Sequence, residues 1–320
     1  MENQGTSGKP HTLPATPDTV NMGFFDNSLS PVLRIHSGDV VSIETMMLMG
    51  GRLRGDLSME DLMRLREQYR SATRSAHTLT GPIFVEDARP GDVLEVRILR
   101  LVPYPRGVHY VVPGTAGAGT LPEEFPDGHL MGFQWDSDEE SVQFGRDVRL
   151  PLRPFLGVMA VAPAEPGELN ANAPGPHGGN IDLKELVEGT ALYLPVFVQG
   201  ALFFTGDAHA VQGDGEVSGT ALETSMREAR LQFVVRHDMK LELPMAETPT
   251  HWITMGFHPD LDEAAKIALR GAVDWLTQLK GLSRLDAYSL CCLAVDMRIT
   301  QLVDGNKGVH AMIPKNIFKA

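Results

Sequence analysis

Short apolar runs, each closed by a Gly, Pro or Asp turn, recur from Pro31 to Met245, and apart from one stretch after Ser58 the pattern lengthens to a helical period only beyond Asp260. A chain punctuated this often has to build sheets and bury its core against them. "PVLRIHSGDVVSIET" (31–45) reads as strand, Ser-Gly-Asp turn, strand, and "GPIFVEDARPGDVLEVRILRLVP" (81–103) repeats that grammar around Arg-Pro-Gly-Asp. The shared Gly-Asp-Val step is a weak sign of a duplicated unit. "TALYLPVFV" (190–198), Gln199-Gly200 and "ALFFT" (201–205) have the form of a hairpin, which "LQFVVRHDMKLELPM" (231–245) continues.

Helical period is confined to a few segments. Ser58 to His77 reads as an amphipathic helix with Ser58 as N-cap and Leu62, Met63, Leu65 and Tyr69 on its apolar side. Asp260 and Glu263 have capping-box spacing ahead of a long apolar face, and Gly281 stands where a C-cap belongs. Ser283 opens a second helix that turns to strand near Ile299. The fold class is therefore α+β, predominantly β. We divide it into a polar arm (1–22), a β-rich domain with one helix (23–150) and a β-rich, α/β domain carrying the main motifs (151–320). Within the second unit, residues 113–150 are rich in Gly, Pro and acid with little periodicity, as expected of a lid over a pocket.

A formal charge of −13 opposes a nucleic-acid or anionic-membrane partner. No apolar run approaches the roughly 20 residues of a spanning helix, and the polar N-terminus lacks the apolar stretch of a secretory signal. The expectation is a cytoplasmic protein that forms a homo-oligomer, a dimer or larger. Cys291 and Cys292, the only cysteines, are adjacent in a helical pattern and read as small buried hydrophobes. Gly-x-Ser-x-Gly and His-Glu-x-x-His are absent, and Asp214 does not begin an EF-hand, since Glu216, Ser218 and Ser225 stand at ligand positions.

The segment "FFTGDAHAVQGDGEVSGTALE" (203–223) then stands out, because it crowds Asp207, His209, Gln212, Asp214, Glu216 and Glu223 among glycines after an apolar run. Like charges held together call for a cation. On a strand, Asp207 and His209 share one face with Cα atoms about 6.5 to 7 Å apart, a usable bite for a metal ion. The plain alternative is a solvated acidic turn. A second cluster, "GPHGGNID" (175–182), follows the apolar "FLGVMAVAPA" and places Asn180 and Asp182 on one face beside His177.

Together with "HTLTGPIFVEDARPGDVLEV", these stretches resemble the acetamidase/formamidase family, most densely from Pro154 to Glu223. The resemblance implies a β-sandwich-like N-terminal part, a second β-rich portion and an α/β C-terminal portion. It also implies hydrolysis of small carboxamides to carboxylate and ammonia with a divalent metal, zinc or calcium. The positions carried over are Asn180, Asp182, Asp207, His209, Gln212, Asp214, Glu216 and Glu223, with His77 just ahead of Gly81-Pro82.

On chemical grounds we expect Asp207 and His209 as metal ligands, supported by Asn180, Asp182 and His77, with zinc the first choice and calcium the second. Glu223 or Glu216 would carry the proton, and Gln212 would stabilise the oxyanion beside Asp214. A non-catalytic β-sandwich that binds metal and a small ligand is the alternative. Where family members resemble Glu-Thr-x-Asp, this chain has Glu44-Thr45-Met46-Met47 followed by Leu48 and Met49, which suggests a larger, less polar pocket for a bulkier amide or lactam.

Overall fold

The protein, described as a computed structural model over residues 8–114 and 119–319, is built on two nine-stranded sheets. The first runs, in spatial order, Pro10–Leu13, Val40–Ile43, Met226–Arg236, Val93–Pro103, Ala191–Pro195, Met245–Glu247, His251–His258, Lys307–Pro314 and Asp296–Gln301. The second follows the path Gly178–Asn180, Phe155–Val161, Phe203–Val211, Leu222–Thr224, Arg106–Val111 and His129–Gln134. From Phe203–Val211 it branches to Thr78–Val85, which pairs Val20–Met22 and Leu33–Ile35.

The main core lies between these sheets. Val41, Leu94, Val96, Leu231 and Phe233 of the first meet Ile83, Leu156, Met159 and Phe203 of the second, and the Phe203 and Phe233 rings pack edge-on at 5.0 Å. Strands covered on both faces explain why Phe155–Val161 is uninterruptedly apolar rather than alternating.

Both Gly-Asp turns are sheet-to-sheet crossings. Leu33–Ile35 and Thr78–Val85 lie side by side in the second sheet, while their successors Val40–Ile43 and Val93–Pro103 flank Met226–Arg236 in the first. In each turn the aspartate accepts the N–H three residues back, His36 to Asp39 at 2.9 Å and Arg89 to Asp92 at 3.0 Å. The Gly-Asp-Val echo thus has a structural counterpart.

The hairpin expected at 190–205 does not form. Ala191–Pro195 belongs to the first sheet and Phe203–Val211 to the second, with Gln199-Gly200 in the crossing and Ala201 and Leu202 at φ 58° and 56°. Nor does 231–245 extend a hairpin, because Met226–Arg236 inserts between Val40–Ile43 and Val93–Pro103. Strand patterns alone do not say which sheet supplies the neighbours.

The first expected helix is shorter than read. Ser58 caps it, accepting Asp61 N–H at 3.0 Å, but it ends at Tyr69. The following Arg-Ser-Ala-Thr-Arg-Ser-Ala has no apolar period, and Ser75 N–H is tied to Gly23 O at 2.9 Å, so His77 stands in extended chain. The C-terminal helices match closely. Leu261–Lys280 is capped by Asp260 and closed by left-handed Gly281, and Ser283 caps Arg284–Ala294 before strand Asp296–Gln301. Helix Leu261–Lys280 lies so close to His251–His258 that a Cβ on Gly256 would stand 2.1 Å from Ala264 O. Of the two cysteines, Cys291 is buried and Cys292 exposed.

Within 113–150, the segment read as irregular holds strands His129–Gln134, Ser141–Phe144 and Val148–Pro151, the last two forming a separate hairpin. Residues 115–118 of this stretch lie outside the described residues.

Candidate active site

One end of the second sheet carries a buried polar cluster. Phe155 pairs with His209, and Glu223 pairs with both His209 and Val108. Asp207 and His209 therefore sit on a central strand with Glu223 opposite. Asp182 arrives from the loop after Gly178–Asn180, where Ile181 and Asp182 N–H groups both donate to Gly157 O. Glu216 comes from the loop after Phe203–Val211, which is clipped to the end of strand Asp296–Gln301 by Gly215 N–H to Thr300 O and Leu302 N–H to Gly215 O, each 3.0 Å.

His209 is the hub. Its Nε2 lies 3.3 Å from Asp207 Oδ2 and 3.4 Å from Glu223 Oε2, and its Nδ1 lies 3.6 Å from Asp182 Oδ1. His77 Nε2 is 3.7 Å from the same Asp207 oxygen, while its Nδ1 is held by Ser75 Oγ at 2.7 Å. Phe155 packs edge-on against His209 at 5.0 Å and fixes the ring. Two overlapping sets, Asp182/His209/Glu216 and Asp207/His209/Glu223, each bring one donor atom per residue within 4.8 Å of one another.

The contacts are close but not aligned as hydrogen bonds. Both nitrogens of His209, both carboxylate oxygens of Asp182, and one oxygen each of Asp207, Glu216 and Glu223 are buried without a hydrogen-bond partner. So many orphaned polar atoms gathered around His209 would be expensive in a folded protein unless another group satisfies them. Imidazole and carboxylate donors in this arrangement fit a divalent cation.

Backbone geometry points the same way. Among the described residues, six non-glycine positions have positive φ, and Asp182 (53°), Asp207 (53°) and Glu216 (43°) are three of them. Such left-handed conformations are disfavoured for residues with a Cβ and collect at functional sites. Gly157 leaves room beneath them, since a Cβ there would stand 2.5 Å from Asp182 Oδ1 and 2.7 Å from Asp207 Oδ2.

Burial and mutual repulsion set the electrostatics. Burial, and then the neighbouring Asp207, pushes Asp182 up to about 7. Glu216 is driven well above the carboxylate range by burial and by Asp182, and Glu223 is raised by burial. Burial also opposes ionisation of Asp207, yet His77 and His209 beside it hold its carboxyl down to about 2. His209 is itself raised, because Glu223 and Asp207 outweigh burial, whereas burial lowers His77.

The remaining sequence candidates separate. Asn180 is buried with Oδ1 unpartnered. Gln212 donates from Nε2 to Asp182 O at 2.9 Å and keeps Oε1 unpartnered. Asp214 does not join the cluster: it is exposed and pairs with Lys184 at 3.1 Å. Two residues were missed. Asp304 is buried, and its carboxyl is raised well above its ordinary value by burial and by Asp182. In the sequence, Asp304-Gly305 looks like an ordinary turn. Tyr110 is buried, its hydroxyl raised by burial and by the charge of Glu223.

A cleft of about 290 Å³ opens at Glu216 and Gln212 and is walled by Phe133, Phe144, Leu150 and Leu222. Met46, Met47, Leu48 and Met49 are not among its lining. Leu48 and Met49 are buried with Leu62, Val108 and Tyr110, and Met47 packs on them. These side chains fill core space under the first helix, which corrects the expectation that they enlarge the pocket.

A profile of the Acetamidase/Formamidase family matches residues 23–174 and 167–320. The chain belongs to this family. It is similar to the crystal structure of an acetamidase from Bacillus halodurans, with 31% identity over 96% of this chain and 98% of that one and a TM-score of 0.86. It also resembles a formamidase of Methylophilus methylotrophus, 25% identical across 91% of this chain and 88% of that protein. An acetamidase of Mycolicibacterium smegmatis is 28% identical across 44% of this chain and 49% of that protein. The chain spans about half the length of two curated relatives it matches, the latter acetamidase and a Schizosaccharomyces pombe protein of which 56% is covered. Among the described residues, no helix is long and apolar enough to cross a membrane.

Proposed function

We propose that this member of the acetamidase/formamidase family hydrolyses a small carboxamide to carboxylate and ammonia at a divalent cation held by the His209 cluster. The observation that carries the reading is the convergence of orphaned, fully buried imidazole and carboxylate atoms beside an open cleft. Acetamidase and formamidase relatives support the amide as substrate class.

Asp207, Glu223, His209 and His77 would hold the cation on the Nε2 side of His209, where the donors are densest. A cation there would supply Lewis acidity and lower the pKa of water to about 7. The Nδ1–Ser75 contact orients His77 as an outer-shell partner orients a metal-binding imidazole. The carboxyls of Asp182 and Glu216 lie in the other donor set around His209.

Glu216 borders the cleft, so it, rather than Glu223, would take the proton from water as the new C–O bond forms, the positive charge of a bound cation opposing the burial that raises its carboxyl. It would then deliver that proton to nitrogen as the C–N bond breaks. Gln212, already fixed by Asp182 O, would present its remaining N–H to the carbonyl oxygen. Asp214 has no part in this arrangement.

The alternative, a structural ion in a binding protein, draws support from the near-complete enclosure of the cluster. Paired variants separate the roles. Glu216→Gln should reduce turnover roughly 10²- to 10⁴-fold with cation content unchanged, whereas Glu223→Gln should lower cation content itself. Wild-type protein that carries the cation but releases no ammonia from any carboxamide would favour the structural reading.

A further inference from the structure

The cleft above Glu216 has more apolar wall than formamide or acetamide can use. Its volume of about 290 Å³ is near the lower end of ordinary ligand pockets, enough for a single-ring molecule. Leu222, Phe133, Leu150 and Val211 belong to a packed cluster anchored by buried Trp135 and Val142, so this wall is firmly backed. Phe144 faces Phe133 with nearly parallel rings, 15° between planes and 6.2 Å between centroids. Phe144 and Val217, at 40% and 57% exposure, leave apolar surface open at the rim. Glu216 and Gln212 border the cleft and belong to the loop that joins it to the His209 cluster, while His109, Asp214, Ser218 and Thr220 complete its polar lining.

We infer that this cleft is the pocket for the substrate's carbon substituent, and that the chain acts on a primary carboxamide bearing a flat apolar group of aryl size. The inference rests on the amide-hydrolase reading. The aryl face lies against Phe133, Phe144 and Leu222, and the carboxamide projects toward Gln212 and Glu216. Aromatic faces pair in offset or edge-on geometries that a methyl group cannot exploit, and every buried carbon adds to the discrimination. Water adds its oxygen to the carbonyl carbon, the C–N bond breaks and nitrogen leaves with the proton, giving arylcarboxylate and ammonium.

The test measures kcat/KM for formamide, acetamide and benzamide in the wild-type protein and in Phe144→Ala and Val217→Asp, both at exposed positions, with folding checked by melting temperature. Benzamide should be the best of the three, and each substitution should lower the benzamide-to-formamide ratio by roughly tenfold. A fall from formamide to benzamide in the wild type, or a ratio unmoved by both substitutions, overturns the inference. If no amide is hydrolysed, the hydrolase reading fails, and calorimetric titration with benzamide decides the cleft separately. Binding weakened by Phe144→Ala supports the pocket, and absence of binding refutes it.

Discussion

Gly157 shows how tightly the site is held at the scale of one residue. It accepts from the Ile181 and Asp182 N–H groups and leaves the space into which Asp182 and Asp207 project. An added methyl would collide with a carboxylate oxygen of each, and both backbones already hold positive φ. Gly157→Ala should therefore reduce cation content and amide turnover by on the order of 10²-fold, because misplacement by about 1 Å is enough for such a loss. Far-ultraviolet circular dichroism should stay close to wild type; full activity would show that the carboxylates are not positioned from below. The spacing of Asp207 and His209 was readable from strand period alone, as was the isolation of Glu223 beyond a glycine loop. Asp304 was not, since nothing local distinguishes a turn aspartate in solvent from one folded against Asp182. The methionines at 47 and 49 misled for a related reason: apolarity marks burial without saying whether core or pocket is buried.

Elements with their own start and stop signals were legible. Asp260, Gly281 and Ser283 each cap as expected because capping is a contact between residues three or four apart. Sheet partners were not, because Ala191–Pro195 and Phe203–Val211 are consecutive strands that choose different sheets through contacts far away in sequence. The pairing of Lys307–Pro314 with Asp296–Gln301 buries His310, which bonds through Nδ1 to Thr300 Oγ1 at 2.8 Å and has Nε2 unpartnered. Burial lowers its pKa from 6.5 to about 4, with Glu185 opposing and Arg298 and Lys184 adding to the fall. The unfolded chain therefore binds the proton first as pH drops. Stability should be fully present above about pH 6.5 and decline toward pH 4, by up to about 3 kcal/mol from this group. In His310→Gln, denaturant unfolding between pH 7 and 4 should show a shallower decline; an identical slope would assign the acid sensitivity to other groups.

Across the whole molecule, both sheets mix strands from either side of residue 150. Val93–Pro103 lies between Met226–Arg236 and Ala191–Pro195, and Arg106–Val111 pairs with Leu222–Thr224. The His209 cluster depends on this interleaving, since His77 precedes the division and all the carboxylates follow it. Even the end of strand Asp296–Gln301 and the turn after it contribute, by clipping the Glu216 loop through Thr300 and Leu302 and bringing Asp304 to Asp182. Such assembly brings scattered acids into two overlapping buried donor sets around His209, which the proposed cation would satisfy. The most direct test is ammonium release from a carboxamide by protein whose cation content is set by chelation and stepwise re-addition of zinc or calcium, with elemental analysis at each step. Release should fall with the bound cation and return as about one equivalent is restored. Undiminished release from cation-free protein would contradict the account.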